Sequence, residues 1–174
     1  MLELTARAPR DAPTTATLTL PWERRGVTRQ RVRLDDGRDA GVFLARGEIL
    51  RGGDRLAAAS GEVVAIVAAL QPVLVVRAAT ATLLARAAYH LGNRHVAVEV
   101  GDGWLKLEHD HVLRAMLEGL GVEVESATLP FEPEGGAYAH GHGHTHQLGA
   151  DAPGPLAARI ASPARRPRDG GTHG

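Results

Sequence analysis

The chain has no cysteine, a single lysine (Lys106) among its 20 basic residues, and only two each of Trp, Tyr and Phe in 174 residues. Without cysteine there is no disulfide framework, no thiolate zinc site and no cysteine nucleophile. Scarce aromatics leave any core to be built from Ala, Val and Leu. Net charge is also lacking, with 20 basic residues against 20 acidic, and this balance weighs against nucleic acid as the main partner. No stretch approaches the roughly 20 consecutive apolar residues of a membrane span. The opening MLELTARAPRD has no apolar run behind its charges, so no signal peptide is expected and the cytoplasm is the expected compartment. There is no P-loop, no G-x-S-x-G and no H-E-x-x-H, and no nucleophile–base pair can be assembled, so an enzyme is not expected. Histidine is what the chain does have. It holds nine, five of them after Tyr138.

Residues 1–70 read as a small sandwich or barrel-like β domain. Thr15–Leu20 and Gln30–Leu34 alternate with period 2, Asp36-Gly37 is a turn signal, and Gly41–Leu44 and Ile49–Leu50 are short apolar runs. Gly61–Leu70 is a longer run rich in β-branched residues. The texture changes at residue 71. Val73–Val76 reads as a buried strand, and Thr80 or Thr82 caps a helix carrying Leu83, Leu84, Ala87, Ala88 and Leu91, with Gly92-Asn93 as a left-handed ending. His95–Val100 and Trp104–Leu107 form a hairpin about Gly101-Asp102-Gly103. A second helix follows Asp110 and stops at Gly121, and Val122–Ala127 alternates as a last strand. A shift of 29 residues lays one helix on the other, Leu83 on Val112 through Gly92 on Gly121. The resulting β-α-β-β-α-β order predicts a ferredoxin-like domain over 71–138. Residues 139–174 are dominated by Gly, Pro, Ala, Arg and His; too few apolar side chains remain to offset chain entropy, so a disordered tail is expected.

The histidines fall into separate groups. The tail carries His140, His142, His144 and His146, interleaved with Gly and Thr. Imidazoles in such a tract suit Ni, Cu, Zn and Co, and the interruption and internal position argue against an affinity tag. His109-Asp110-His111 sits at a strand-to-helix junction, where Asp110 is sufficiently explained as an N-cap and the flanking pair, taken alone, as surface residues. His95 lies just past the first helix; a lone histidine there is by itself structural or merely exposed. A single histidine per chain still binds metal if a two-fold axis pairs two copies. Arg24, Arg25, Arg29, Arg31 and Arg33 make a basic stretch, read as a solvated strand face because no aromatics are interleaved for stacking bases.

Four blocks, LDDGRDAGVFLARGEILRGGD (34–54), YHLGNRHVAVEV (89–100), EHDHVLRAMLEGLGVEVE (108–125) and LPFEPEGGAYAHGHGH (129–144), resemble the UreE family of urease accessory proteins, nickel metallochaperones. The resemblance covers residues 1 to about 146. It implies an N-terminal β domain that takes a partner or peptide, a ferredoxin-like metal-binding domain, and a homodimer. It also implies that His95 binds metal at the dimer interface, that His109 and His111 hold peripheral sites, and that His140, His142, His144 and His146 add capacity and complete the interface coordination. His95 thereby changes from a bland residue to the leading ligand. Ni(II) is the implied cargo, with Zn(II) or Cu(II) possible in vitro. The implied partners are the urease GTPase UreG and the apo-urease accessory complex, with neither nucleic acid nor membrane. Some members carry Cys where this chain has Ala78, so no thiol contributes here. The alternatives are a general Zn/Cu/Ni buffer with the tail as a sponge, or a protein-binding adaptor with incidental histidines.

Overall fold

The computed structural model describes residues 1–135. The expected tail and its histidines at 140, 142, 144 and 146 lie outside the described residues. Among the described residues, ten strands form two sheets, accompanied by three helices. The first sheet holds β1 (Leu2–Ala8), β2 (Ala16–Leu20), β3 (Arg29–Arg33), β4 (Asp39–Phe43), β5 (Arg55–Ala58) and β6 (Val63–Ala68), in the order β2-β6-β5-β1-β4-β3. β1 runs parallel to β4 and β2 parallel to β6, the other neighbours being antiparallel. The sheet curls into a nearly closed barrel. Asp35 N–H donates to Thr17 O at 3.0 Å, and its carboxylate accepts from the Thr17 and Thr19 hydroxyls, tying the segment after β3 to β2. Inside lie Leu4, Leu18, Val42, Leu56, Val64 and Ile66, all essentially without solvent contact.

Two of these strands have weak sequence signatures. β1 buries only Leu4 fully, and a register shift between Leu4 and Ala6 breaks its alternation against β5. β5 is just four residues, RLAA. Ile49–Leu50, expected as a short apolar run, forms no strand; the fully buried Leu50 instead donates its N–H to Arg25 O. The run 61–70 is two elements: β6 ends at Ala68, and Leu70 already opens the next strand.

The second sheet has the order β10-β7-β9-β8, from β7 (Leu70–Arg77), β8 (Glu99–Gly101), β9 (Trp104–Glu108) and β10 (Glu123–Pro130), all neighbours antiparallel. With α2 (Ala81–Gly92) after β7 and α3 (His111–Gly119) after β9, this is the ferredoxin-like arrangement the sequence predicts. Leu74, Val76, Leu105 and Leu107 of the sheet pack with Ala87 and Leu91 of α2 and Leu117 of α3. The strand expected over 95–100 is shorter, beginning at Glu99, because Val96–Val98 form an irregular segment packed on this core.

A short helix, α1 (Trp22–Arg25), holds the two sheets together. The Arg25 side chain is fully buried; its guanidinium donates to the Glu132 carboxylate and to Phe131 O. Its Nε finds no acceptor among the described residues, and the group lies 5.2 Å from the Trp22 ring, which also meets Phe131 edge-on. Glu132 additionally accepts from Gly52 N at 2.7 Å, and Gln71 links Trp22 N to Glu108. Sequence reasoning placed Arg25 in a solvated stretch. The structure corrects that: α1 turns its last residue inward, where an acidic partner far along the chain meets it.

Candidate metal centre

Thr80 accepts from Leu83 N and starts α2, as its position before an alanine- and leucine-rich run predicts. The other end departs from expectation. Gly92 is still helical and Asn93 has φ −62°, so neither takes the left-handed conformation. His95 does, at φ 54°, and among the described residues it is the one non-glycine with positive φ. His95 N–H donates to Gly92 O at 2.9 Å, and Val96 N–H to Leu91 O at 3.2 Å. These two bonds, over three and five residues, are those of a Schellman ending, with the left-handed residue at the position where glycine is ordinarily found. Val96 and Leu91 supply the accompanying apolar contact. The exposed His95 is therefore fixed at its backbone and open at its ring. A left-handed side-chain residue costs on the order of 1 kcal/mol, and such a cost points toward a role for the side chain.

At α3 the arrangement follows the sequence closely. Asp110 Oδ1 accepts from Val112 N at 2.7 Å and Leu113 N at 2.8 Å. The Leu113 N–H, then the Val112 N–H, with lesser help from His111 and His109, hold the Asp110 carboxyl below the ordinary aspartate range. One oxygen of Asp110 is thus committed to the cap. His109, whose N–H continues the sheet by donating to Pro72 O at 3.2 Å, and His111, the first residue of α3, are both exposed. His90, given no role from sequence, is half-buried with its ring edge-on to Tyr89 at 5.5 Å. Among the described residues no three His, Asp or Glu side chains gather to hold a metal ion. His95, His109 and His111 each stand open to solvent, so a chelating set needs a second subunit or residues beyond 135.

β10 ends at Pro130 on one edge of the second sheet. Glu132 N–H then reaches Glu99 at 2.7 Å and Glu134 N–H reaches Val98 O at 2.8 Å, at the opposite edge. Glu99 is also paired with Lys106 at 2.9 Å. This anchoring of the chain after β10 carried no sequence signal.

Two family models match the chain: the N-terminal domain of the UreE urease accessory protein over residues 3–69, and its C-terminal domain over 71–153. The urease accessory protein UreE of Alkalilimnicola ehrlichii is 58% identical over 138 residues, covering 79% of this chain and 85% of that protein. The chain belongs to the UreE family of urease accessory proteins. UreE of Citrobacter koseri is 55% identical over 140 residues, 80% of this chain and 92% of that one, and UreE of Pseudomonas putida strain W619 is 52% identical over 139 residues. The matches span both sheets, so the fold and urease-accessory class read from the four sequence blocks hold. The UreE name is that of an accessory protein, not of the urease enzyme. No helix of the described residues is long and apolar enough to cross a membrane.

Proposed function

We propose that this UreE chain is a cytoplasmic, homodimeric metallochaperone that binds Ni(II) and passes it on for assembly of the urease active site. The observation that carries the reading is His95: an exposed imidazole held at a left-handed helix ending where glycine is the unstrained choice. In the dimer, one His95 from each subunit would bind the ion. Two imidazoles do not fill the square-planar or octahedral sphere nickel prefers, and water or further imidazoles would occupy the rest. Positions so weakly held suit transfer better than storage. His109 and His111, and His140, His142, His144 and His146, would serve as additional, weaker ligands. Handover would run to the urease GTPase UreG and the apo-urease accessory complex. An imidazole site binds Cu(II) more tightly than Ni(II), so selectivity would come from metal supply and partners, not from affinity.

Ni(II) titration of the intact protein and of a 1–138 truncation, with oligomeric mass measured at each ratio, tests this. The truncation should bind about one Ni per dimer, the stoichiometry of a shared two-fold site. His95→Ala should lose the tightest site and keep the dimer. A metal-buffering sponge would instead lose it only on deletion of 139–174. No Ni(II) retained at micromolar free metal would overturn the chaperone reading in favour of an adaptor.

A further inference from the structure

The helix ending that carries His95 leaves one carbonyl over. Asn93 N–H donates to Tyr89 O at 3.0 Å and Arg94 N–H to Leu91 O at 3.1 Å, so the ladder steps from a four-residue to a three-residue spacing. That step passes over His90 O, which no backbone N–H of the described residues reaches. The Arg94 side chain fills the gap, its Nη1 donating to His90 O at 3.2 Å. Its guanidinium is thereby tethered over the last turn of α2, at the exposed helix end that also presents His95. The chain around it supplies no counter-charge, because no Asp or Glu occurs between Glu62 and Glu99. Glu99 itself is engaged by Lys106 and by the Glu132 N–H. Arg25, Arg51 and Arg114 each hold a carboxylate, and Arg94 holds none among the described residues.

We propose that Arg94 sets the strength of the His95 nickel site: a fixed cation that lowers affinity for the ion and keeps it transferable. The inference rests on the two-fold His95 site proposed above and adds the residue that limits its affinity. The carbonyl end of a helix carries partial negative charge and by itself favours a cation. A guanidinium held on that end offsets the attraction, and arginine stays charged throughout the working pH range. Adjacent Cα atoms lie about 3.8 Å apart, and each subunit brings its own Arg94 beside its own His95. A shared ion therefore meets two guanidiniums at on the order of 10 Å. A merely structural role has the opposite sign. If Arg94 only steadied the turn, its loss would loosen His95 and weaken nickel binding.

Competition for Ni(II) between the full-length protein and a chromophoric chelator tests this, with oligomeric mass measured alongside. The variants are Arg94→Gln, Arg94→Lys and Arg86→Gln. At about 0.01 M sodium perchlorate, Arg94→Gln should bind Ni(II) at its tightest site about fivefold more tightly than the wild type. At about 1 M the gap should shrink below about twofold, because screening removes a repulsion acting over this distance. Arg94→Lys keeps the charge and should stay within about twofold of the wild type at both salt concentrations. Arg86→Gln removes a charge about 12 Å further along the helix and should change affinity by about twofold or less. The inference is overturned if Arg94→Gln binds as the wild type does or more weakly. It is overturned equally if the Lys or Arg86 variant tightens as much, or if the gap persists at high salt. In each of those cases the His95 site itself stands. A tightest site that survives His95→Ala would overturn both readings together.

Discussion

At the residue scale the informative position is His95. The sequence places it after a helix, and the resemblance to UreE makes it a ligand, but its backbone state is visible only in three dimensions. A glycine available three residues earlier, in Gly92-Asn93, suggested the helix ending; the bonds from His95 and Val96 back to Gly92 and Leu91 place the left-handed turn further on. The cause is packing: Leu91 stays fully buried and Val96 must reach the same core, and the extra helical residues accommodate both. His95→Gly should therefore stabilise the metal-free protein by about 0.5–1 kcal/mol relative to His95→Ala, because glycine takes a positive φ without penalty. Urea unfolding of the two variants measures this. Both should lose the tightest Ni(II) site, so the loss of binding does not follow the difference in stability. Metal retention should also weaken on acidification, since protons compete for imidazole.

At the scale of elements, the helix starts were legible and the strand inventory less so. Thr80 and Asp110 cap the helices because a short polar side chain before an apolar run has one local job, satisfying free N–H groups. For Asp110 the consequence has a sign. Its carboxyl is held below the ordinary aspartate range, so the cap contributes in full above about pH 4, the unfolded aspartate value, and is lost as pH falls through the lower native value. Asp110→Ala should lower the melting temperature by a few degrees at neutral pH, and the gap to the wild type should narrow below about pH 4 as the wild-type carboxyl protonates. Thermal melts over a pH series check both statements. β1 and β5 carry little signal because one is bulged and the other is four residues long. Their hydrogen-bonding partners, not their own periodicity, make them strands.

At the scale of the whole molecule, the junction between the sheets depends on a charge that sequence reasoning left in solvent. Glu132 holds Arg25, Arg51 and the Gly52 N–H together. Replacing it by Ala strands a buried guanidinium with one carbonyl acceptor. Glu132→Ala should cost about 2–4 kcal/mol, somewhat less than the roughly 3–5 kcal/mol of a fully buried pair because the Glu132 side chain keeps 31% of its exposure, whereas Arg31→Ala, removing an exposed pair with Asp39, should cost less than about 1 kcal/mol. Equilibrium unfolding separates the two; equal effects would mean that the junction contributes nothing special. Helix N-caps, turns, the repeated strand–helix unit and the ferredoxin-like order were determined by the sequence alone, because each follows from contacts within a few residues or from one regular period. The four motif blocks likewise identified the family without coordinates. The burial of Arg25 and the left-handed state of His95 were decided only by the tertiary structure. Each depends on packing that sequence pattern does not record: the arrival of Glu132 for Arg25, and the shared core that Leu91 and Val96 must both reach for His95. A one-dimensional pattern holds no record of such meetings.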